Sequence, residues 1–415
     1  MRLEFGYGSG IQYVNVDRKH IIKELLPLSV SAPESELSEV ERALDDPIAS
    51  GTIETIFKPG ETVAIVTSDI TRPMPTYKVI LPVIDRLNKA GIPDENITVV
   101  SALGSHRRQT DEERKKLVGE ECFKRVKVID SDPEDCIHYG FTKRGTPIDI
   151  TRSVAEADRI ICLGNVEFHY FAGFSGGVKA IMPGCSTPKA IQMNHRLMTD
   201  EYACAGNIKT NPLRDDIEEA GRKVGVDFIL NVVLDEHKNI VRAYAGAPVK
   251  AHREACDYLR KMFGISIPER ADIVICSQGG KPKDLNLYQT QKALDNAKHA
   301  IKKGGIIILV GACNEGLGGN VFEQWMTEAK SPDELTERIE KNFVLGGHKA
   351  AAIAMVLKNA DIYMVSEMDP ELVNNIFMRP FRTVSAAYRA AQAKFGGNGT
   401  VITMPYGGST LPISE

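Results

Sequence analysis

The sequence predicts an α/β protein built as two α/β domains with mainly parallel sheets, and three observations lead there. Short apolar runs rich in β-branched residues recur along the chain, and each ends in Gly, Ser, Asn or Asp. Buried parallel strands read this way, because both faces of such a sheet are covered. Segments of helical periodicity separate the runs, and strand–helix alternation implies parallel crossovers. A length of 415 residues exceeds what one ordinary core organises and points to two domains.

In chain order, strands are expected at 62–69 (TVAIVTSD), 97–105 (ITVVSALGS), 159–165 (RIICLGN), 272–280 (DIVICSQGG) and 305–316 (GIIILVGACNEG). Helices are expected at 76–90, stopped by Gly91, and at 212–224, opened by Pro212 in the first turn. Three more are expected at 286–302, 320–341 and 383–395. Residues 226–246 read as a hairpin with its turn near 235–239. EADRIICLGN (156–165) and RADIVICSQGG (270–280) echo each other, which is how α/β units in general look. The stretch FGISIPERAD (263–272) is the expected boundary. It gives an N-terminal domain of residues 1–265, a C-terminal domain of 270–400, and a tail, 401–415, that could pack back on the N-terminal domain.

Composition narrows the function. A hydrophobic content of 43% with 26% charged residues is that of a soluble globular chain. The net charge is −4 and no dense Lys/Arg run occurs, so neither nucleic acid nor an anionic membrane is the expected partner. MRLEFGYGSG has no apolar signal core, and no run approaches the ~20 apolar residues of a membrane span, so a cytoplasmic protein is expected. Eight Cys are scattered without a C-x-x-C pair. Several, such as Cys162, Cys276 and Cys313, fall in apolar runs, where a thiol acts as a small hydrophobe; neither a disulfide framework nor a zinc site is supported.

Ligands of open α/β sheets sit beyond the carboxyl ends of the strands, so chemistry is sought there. SDITRP (68–73) offers Asp69 and Arg72, either as a clamp for an anion or hydroxyl or as a helix cap with its local ion pair. In ALGSHRRQTDEE (102–113), Thr110 and Glu113 form a capping-box pattern, which leaves His106 on the loop before the helix, as a functional group or a surface residue. FHYFAGFSGGVKAIMPG (168–184) sets His169 among aromatics, ten residues before Lys179, with Gly173, Ser175, Gly176 and Gly177 between them. That composition suits a phosphate cradle followed by an amine, yet it is neither G-x-x-x-x-G-K-[ST] nor G-x-G-x-x-G. His195 in IQMNHRLM stands on a probable helix with no metal-ligand partner three or four residues away. In NLYQTQKAL (286–294), Tyr288, Gln289 and Lys292 share one side of a helix start that could hold a carboxylate, or form a solvated face.

These motifs, in this order and spacing, resemble the nickel-pincer-dependent lactate racemase family over nearly the whole chain. The step of ten from His169 to Lys179 and of sixteen from Lys179 to His195 carry the resemblance most specifically. It implies an active site in the cleft between the two domains. It implies a nickel-pincer nucleotide (a pyridinium-3-thioamide-5-thiocarboxylate mononucleotide with Ni) attached covalently through Lys179, with His195 as the protein ligand to nickel. Asp69, Arg72, Ser175, Gly176 and Gly177 would bind the cofactor, and His106 and His169 would be the two acid/bases. Arg72, Tyr288, Gln289 and Lys292 would bind the substrate. Where lactate racemases carry a Trp near the substrate methyl, LGGHKAA here offers His348 and Lys349, which implies a 2-hydroxy acid other than lactate, malate-like or sugar-acid-like. Cofactor-maturation proteins are implied partners, cofactor loading depends on them, and a homo-oligomer stays open. Two other readings stay open at this point: an NAD-dependent 2-hydroxyacid dehydrogenase, disfavoured by the missing dinucleotide fingerprint, and a non-catalytic binding protein.

Overall fold

The structure, a computed structural model, describes residues 1–27, 33–235 and 237–414. The chain divides into two compact units, Val30–Leu259 and Met1–Ser29 together with Arg260–Glu415.

The first unit is built on a six-stranded sheet. Its order is Ile240–Gly246, Phe228–Leu234, Arg159–Val166, Val63–Ser68, Ile97–Ala102, Lys127–Asp130. All neighbours are parallel except Ile240–Gly246, the return strand of the expected hairpin. Val63, Ile65, Val99 and Ile161 point to one face and pack with the helices Glu36–Asp45 and Thr76–Lys89. The chain runs from the central strand Val63–Ser68 outward to Ile97–Ala102 on one side, then returns to Arg159–Val166 on the other. That reversal makes a topological switch point, where the crevice beyond the strand ends is open to a ligand.

The second unit has its own six-stranded, all-parallel sheet. Its order is Arg379–Phe381, Ala360–Val365, Ile301–Val310, Ala271–Ser277, Val401–Met404, Ile21–Glu24. Alternate side chains go to opposite faces. Ile273, Ile275, Ile306 and Ile308 meet the hairpin residues Leu3, Phe5 and Val14 and the helix Val384–Lys394. Val274, Cys276, Ile307 and Leu309 meet the helices Leu287–Ala297, Asn320–Glu328, Pro332–Lys341 and Gly347–Leu357.

Three differences from the sequence reading have physical causes. The segment 1–27 does not belong with the unit that follows it in the chain, because Ile21–Glu24 pairs with the otherwise open edge of Val401–Met404. The tail stays in the second unit: Val401–Met404 lies between two strands of its sheet, and Leu411–Ser414 pairs with Gly264–Ile267. The single helix expected over 320–341 is two, since Pro332 cannot continue a helix and Ser331 caps a new one. The helices Glu36–Asp45, Pro248–Phe263 and Gly347–Leu357 are among those that lie outside the predicted set. Cys162 and Cys276 lie buried in their strands as expected, and Cys313 just beyond one. Among the described residues no helix is long and apolar enough to cross a membrane.

Candidate active site

Three strand ends at the first switch point carry the predicted residues. After Val63–Ser68 the chain turns through Asp69, which is 2% exposed. After Ile97–Ala102 it presents His106 from a loop, ahead of the helix Asp111–Val118 and its Thr110–Glu113 capping box. His106 Nδ1 lies 2.9 Å from Asp69 Oδ2. Asp69 is therefore the orienting partner of an imidazole; it does not cap the next helix, which starts after Pro75. Burial alone would raise the Asp69 pKa, but the hydrogen bonds from His106 and Thr71 outweigh it and hold the carboxyl below its usual value. An ionised Asp69 accepts a hydrogen bond from Nδ1–H of a neutral imidazole, which places the lone pair on Nε2. Arg72 Nη2 stands 3.4 Å from that Nε2, as a donor facing an acceptor should. Gln109 secures the turn from behind, accepting from Ile70 N at 2.8 Å while both of its donors engage Asp130.

The third strand end leads into the Gly-rich loop. His169 Nδ1 accepts from Ala172 N at 3.3 Å, so its neutral form carries the proton on Nε2, the reverse of His106. Phe171 packs edge-on against both His169 (4.5 Å between centroids) and His195 (5.0 Å), so the two imidazoles share one buried ring as a neighbour. His195 ends the helix Pro188–His195 and is 8% exposed. Its Nδ1 is 3.1 Å from Asn194 Oδ1, and the Asn194 amide donates to Asp216 at 3.0 Å and to the Leu213 carbonyl at 3.2 Å. With both amide protons committed, Asn194 offers its oxygen, so His195 donates from Nδ1 and its lone pair lies on Nε2. A second shell of this kind presents an imidazole to a metal. Among the described residues no group of three or more His, Cys, Asp or Glu is arranged to hold a metal ion, so a metal at His195 would need its other donors from a bound group.

Lys179 sits in the short turn Gly177–Ala180, and among the described residues its amine has no hydrogen-bond or ion-pair partner. Burial, then the positive charges of Arg72 and Arg214, push its pKa down from 10.5 to about 7. Such an amine is partly neutral at physiological pH and therefore nucleophilic. Ser175 faces its own chain, donating to the Asn165 carbonyl at 2.7 Å and accepting from Glu167 N. Gly176 and Gly177 both have positive φ. A Cβ on Gly176 would lie 2.8 Å from Asn231 Oδ1, and one on Gly177 would lie 2.9 Å from Arg214 Nη2. Their lack of side chains thus serves contact with the protein behind the loop. Gly104 N donates to the Gly184 carbonyl at 2.8 Å, which ties the loop of His106 to the segment after Lys179.

In the second unit, Asn286 caps the helix that carries Tyr288, Gln289 and Lys292 and accepts from Gln289 N at 3.1 Å. Tyr288 and Gln289 are half-buried and Lys292 is exposed. His348 and Lys349 are both buried at the start of Gly347–Leu357. His348 Nδ1 accepts from Gly346 N at 3.0 Å. Lys349 Nζ donates to Gln291 Oε1 at 2.7 Å and lies 5.6 Å from the Tyr288 ring centroid. Gln291 in turn donates to Asp295 at 2.6 Å. Burial pushes Lys349 down to about 8, with Asp295 opposing and Lys292 and Lys298 assisting.

Sequence reading did not single out Gln109, Asn194, Arg214, Asn231, His252 or Gln291. Each lies on an ordinary helix, strand or loop pattern and gains its role only through a partner distant in sequence, so no local signal could have found it.

The chain is similar to known proteins over most of its length. Residues 7–206 match the lactate racemase N-terminal domain family and residues 267–411 the lactate racemase C-terminal domain family. The lactate racemase of Thermoanaerobacterium thermosaccharolyticum is 32% identical over 387 residues, 91% of this chain and 90% of that protein. That of Lactiplantibacillus plantarum is 32% identical over 383 residues, 90% of each. The solved lactate racemase apoprotein from T. thermosaccharolyticum superposes with a TM-score of 0.87 at 30% identity, covering 100% of both chains. A Thermotoga maritima protein of 19% identity and TM-score 0.63 shares the fold. With both domains matched and the similarity running through nearly the whole length, the chain belongs to the lactate racemase family and is an isomerase of the racemase class.

Proposed function

We propose that the protein inverts C2 of a 2-hydroxy acid, with a nickel-pincer nucleotide attached through Lys179. The observation that carries this reading is the pair Asp69–His106: a buried carboxylate fixes the imidazole so that Nε2 is a base, beside the Arg72 guanidinium. The α-hydrogen of a hydroxy acid is too weakly acidic for imidazole to remove as a proton, but its hydroxyl proton is within reach of one when the hydrogen leaves with its electron pair. The residues fit the implied group: Lys179 has an unpartnered amine to join an acyl arm, and His195 turns Nε2 away from its Asn194 contact to serve as a nickel ligand. When bound, the group supplies a hydride-accepting carbon tuned by nickel.

His106 takes the hydroxyl proton of one enantiomer, and His169 gives a proton to the oxygen of the other as the opposite face is reduced; the reverse reaction exchanges the two roles. Two bases are required because the two hydroxyl groups approach from different sides of a planar 2-keto acid. Arg72 pairs with the carboxylate, the bidentate task for which guanidinium is suited. Tyr288, Gln289 and Lys292 hold the carboxylate from the start of the helix Leu287–Ala297, where the helix dipole favours an anion. His348 and Lys349 favour a substrate larger or more polar than lactate, a malate-like or sugar-acid-like hydroxy acid, since an imidazole and an ammonium are polar where a methyl group calls for an apolar contact. The maturation proteins that make the cofactor are the expected partners.

The test is the intact mass and nickel content of protein co-expressed with active maturation proteins, followed by chiral assay over a panel of 2-hydroxy acids. A covalent adduct that Lys179→Met abolishes, with about one nickel per chain as the single-ligand site requires, is the expected result. An unmodified mass without nickel would overturn the cofactor assignment, and lactate as clearly the best substrate would overturn the substrate assignment.

A further inference from the structure

The turn that leads into Lys179 is held from behind by two buried side chains that the reaction above does not use. Arg214, on the helix Pro212–Val224, donates from Nη1 to the Phe174 carbonyl at 3.3 Å and from Nη2 to the Gly176 carbonyl at 3.5 Å. His252, on Pro248–Phe263, lies 2.8 Å from the Ser175 carbonyl through Nε2. Three successive carbonyls are thus gripped by two side chains, each 1% exposed. Burial, with Arg214 beside it, holds the His252 pKa well below its usual value, so the ring is neutral. Its proton must be on Nε2 to meet the carbonyl, which leaves Nδ1 to accept from Arg214 Nη2 at 2.9 Å. Glu218 completes the network, accepting from Arg214 at 3.0 Å and from Arg253 at 2.8 and 2.9 Å. On the far side of the turn, Asn231 Oδ1 accepts from Gly177 N at 2.9 Å.

A buried guanidinium is costly to desolvate, and its pairing with Glu218 offsets that cost only in part. Backbone carbonyls at a loop can be satisfied by water at far smaller cost. The loop is therefore held more firmly than folding requires, and it is the loop that carries the amine. A Cβ on Gly177 would fall 3.0 Å from His252 Cγ, so clamp and turn are in direct contact. We propose that Arg214 and His252 are positioning residues: they grip Phe174, Ser175 and Gly176 by their carbonyls and thereby set the place and reactivity of the Lys179 amine for acyl attachment. Arg214 acts twice, since its charge is also among those that keep this amine from holding a proton.

The proposal rests on Lys179 being the attachment nucleophile, and it can be tested on the full chain without cofactor. Acetic anhydride is the probe. The amine nitrogen attacks one carbonyl carbon, an N–C bond forms, the C–O bond to acetate breaks, acetate leaves and one N–H proton passes to water. Trace labelling on both sides of pH 7, read at Lys179 by peptide mass spectrometry with Lys189 as internal standard, yields a titration midpoint and a limiting rate. The midpoint should lie near 7 in the unaltered chain. Arg214→Lys keeps the charge but not the two-armed grip, so the midpoint should hold while the limiting rate drops about tenfold, the cost of a misplaced nucleophile. Arg214→Met should also raise the midpoint. His252→Leu should lower the limiting rate, and His252→Gln, whose amide N–H can reach the Ser175 carbonyl, should restore it.

Loss of stability alone would not divide midpoint from rate in this way. Should the Arg214 variants fail to fold, the His252→Leu and His252→Gln pair still decides. Lys179 labelling unchanged in His252→Leu overturns the proposal, and so does a drop that His252→Gln does not restore. An intact labelling pattern together with no adduct in matured protein overturns the attachment reading and leaves the clamp standing.

Discussion

Two lysines, half-buried Lys179 in one unit and buried Lys349 in the other, show how different surroundings act on one side chain. Lys179 and Lys349 are both pushed down by burial, to about 7 and about 8. Around Lys179 the larger charge influences are cations, Arg72 and Arg214, with Glu167 opposing them, and among the described residues its amine donates to nothing. Around Lys349 an amide oxygen accepts the ammonium at 2.7 Å, an aromatic face lies 5.6 Å away, and Asp295 stands behind the amide. The first environment favours the neutral amine; the second opposes its loss of the proton with an acceptor and a carboxylate. Desolvation acts alike on both, so the neighbours decide.

The comparison breaks most completely if Lys179→Met still acquires the mass adduct in matured protein; loss of adduct and of all turnover is expected, whereas Lys349→Met should load normally. Next in size, Asp69→Asn should lower racemisation about 10²- to 10⁴-fold without removing the adduct, because the His106 tautomer is no longer fixed. Measuring kcat and adduct mass on the same sample separates catalysis from loading. Lys349→Met should raise KM for a hydroxy acid with a polar side chain roughly tenfold, the worth of one charge-assisted hydrogen bond, with a smaller effect on lactate. Equal effects on both substrates would remove Lys349 from the specificity argument.

The smallest effect is in stability. A lysine whose folded pKa lies below its unfolded value penalises folding fully below the folded pKa, and the penalty is gone above the unfolded one. Urea unfolding of the cofactor-free chain should therefore show stability contributed by Lys179 rising between about pH 7 and 10.5. Lys179→Met should flatten that rise, and Lys349→Met should flatten only the part above about 8.

Local signals in the sequence were enough for most of the architecture. The apolar runs at 62–69 and 159–165 became the two strands that flank the switch point, observed at Val63–Ser68 and Arg159–Val166. Pro212 and the Thr110–Glu113 box mark helix starts where they stand. Gly347–Leu357 escaped because its residues 347–354 are all buried, so it has no polar stripe to betray a helical period. The break at Pro332 was in plain view, but periodicity on either side of it concealed two helices with a shared apolar face.

The sequence by itself determined the fold class and the family, and it set His106, His169, Lys179 and His195 in a recognisable order. Strand period, helix caps and motif spacing act over a few residues and need no partner to be read. Only the tertiary structure decided which way each imidazole holds its proton and which charges stand around each lysine. Those properties come from Asp69, Asn194, Arg214 and His252, which meet their partners across the fold or are held by groups that do. Hydrogen bonds and desolvation depend on distance in space, and that distance does not exist until the chain has folded.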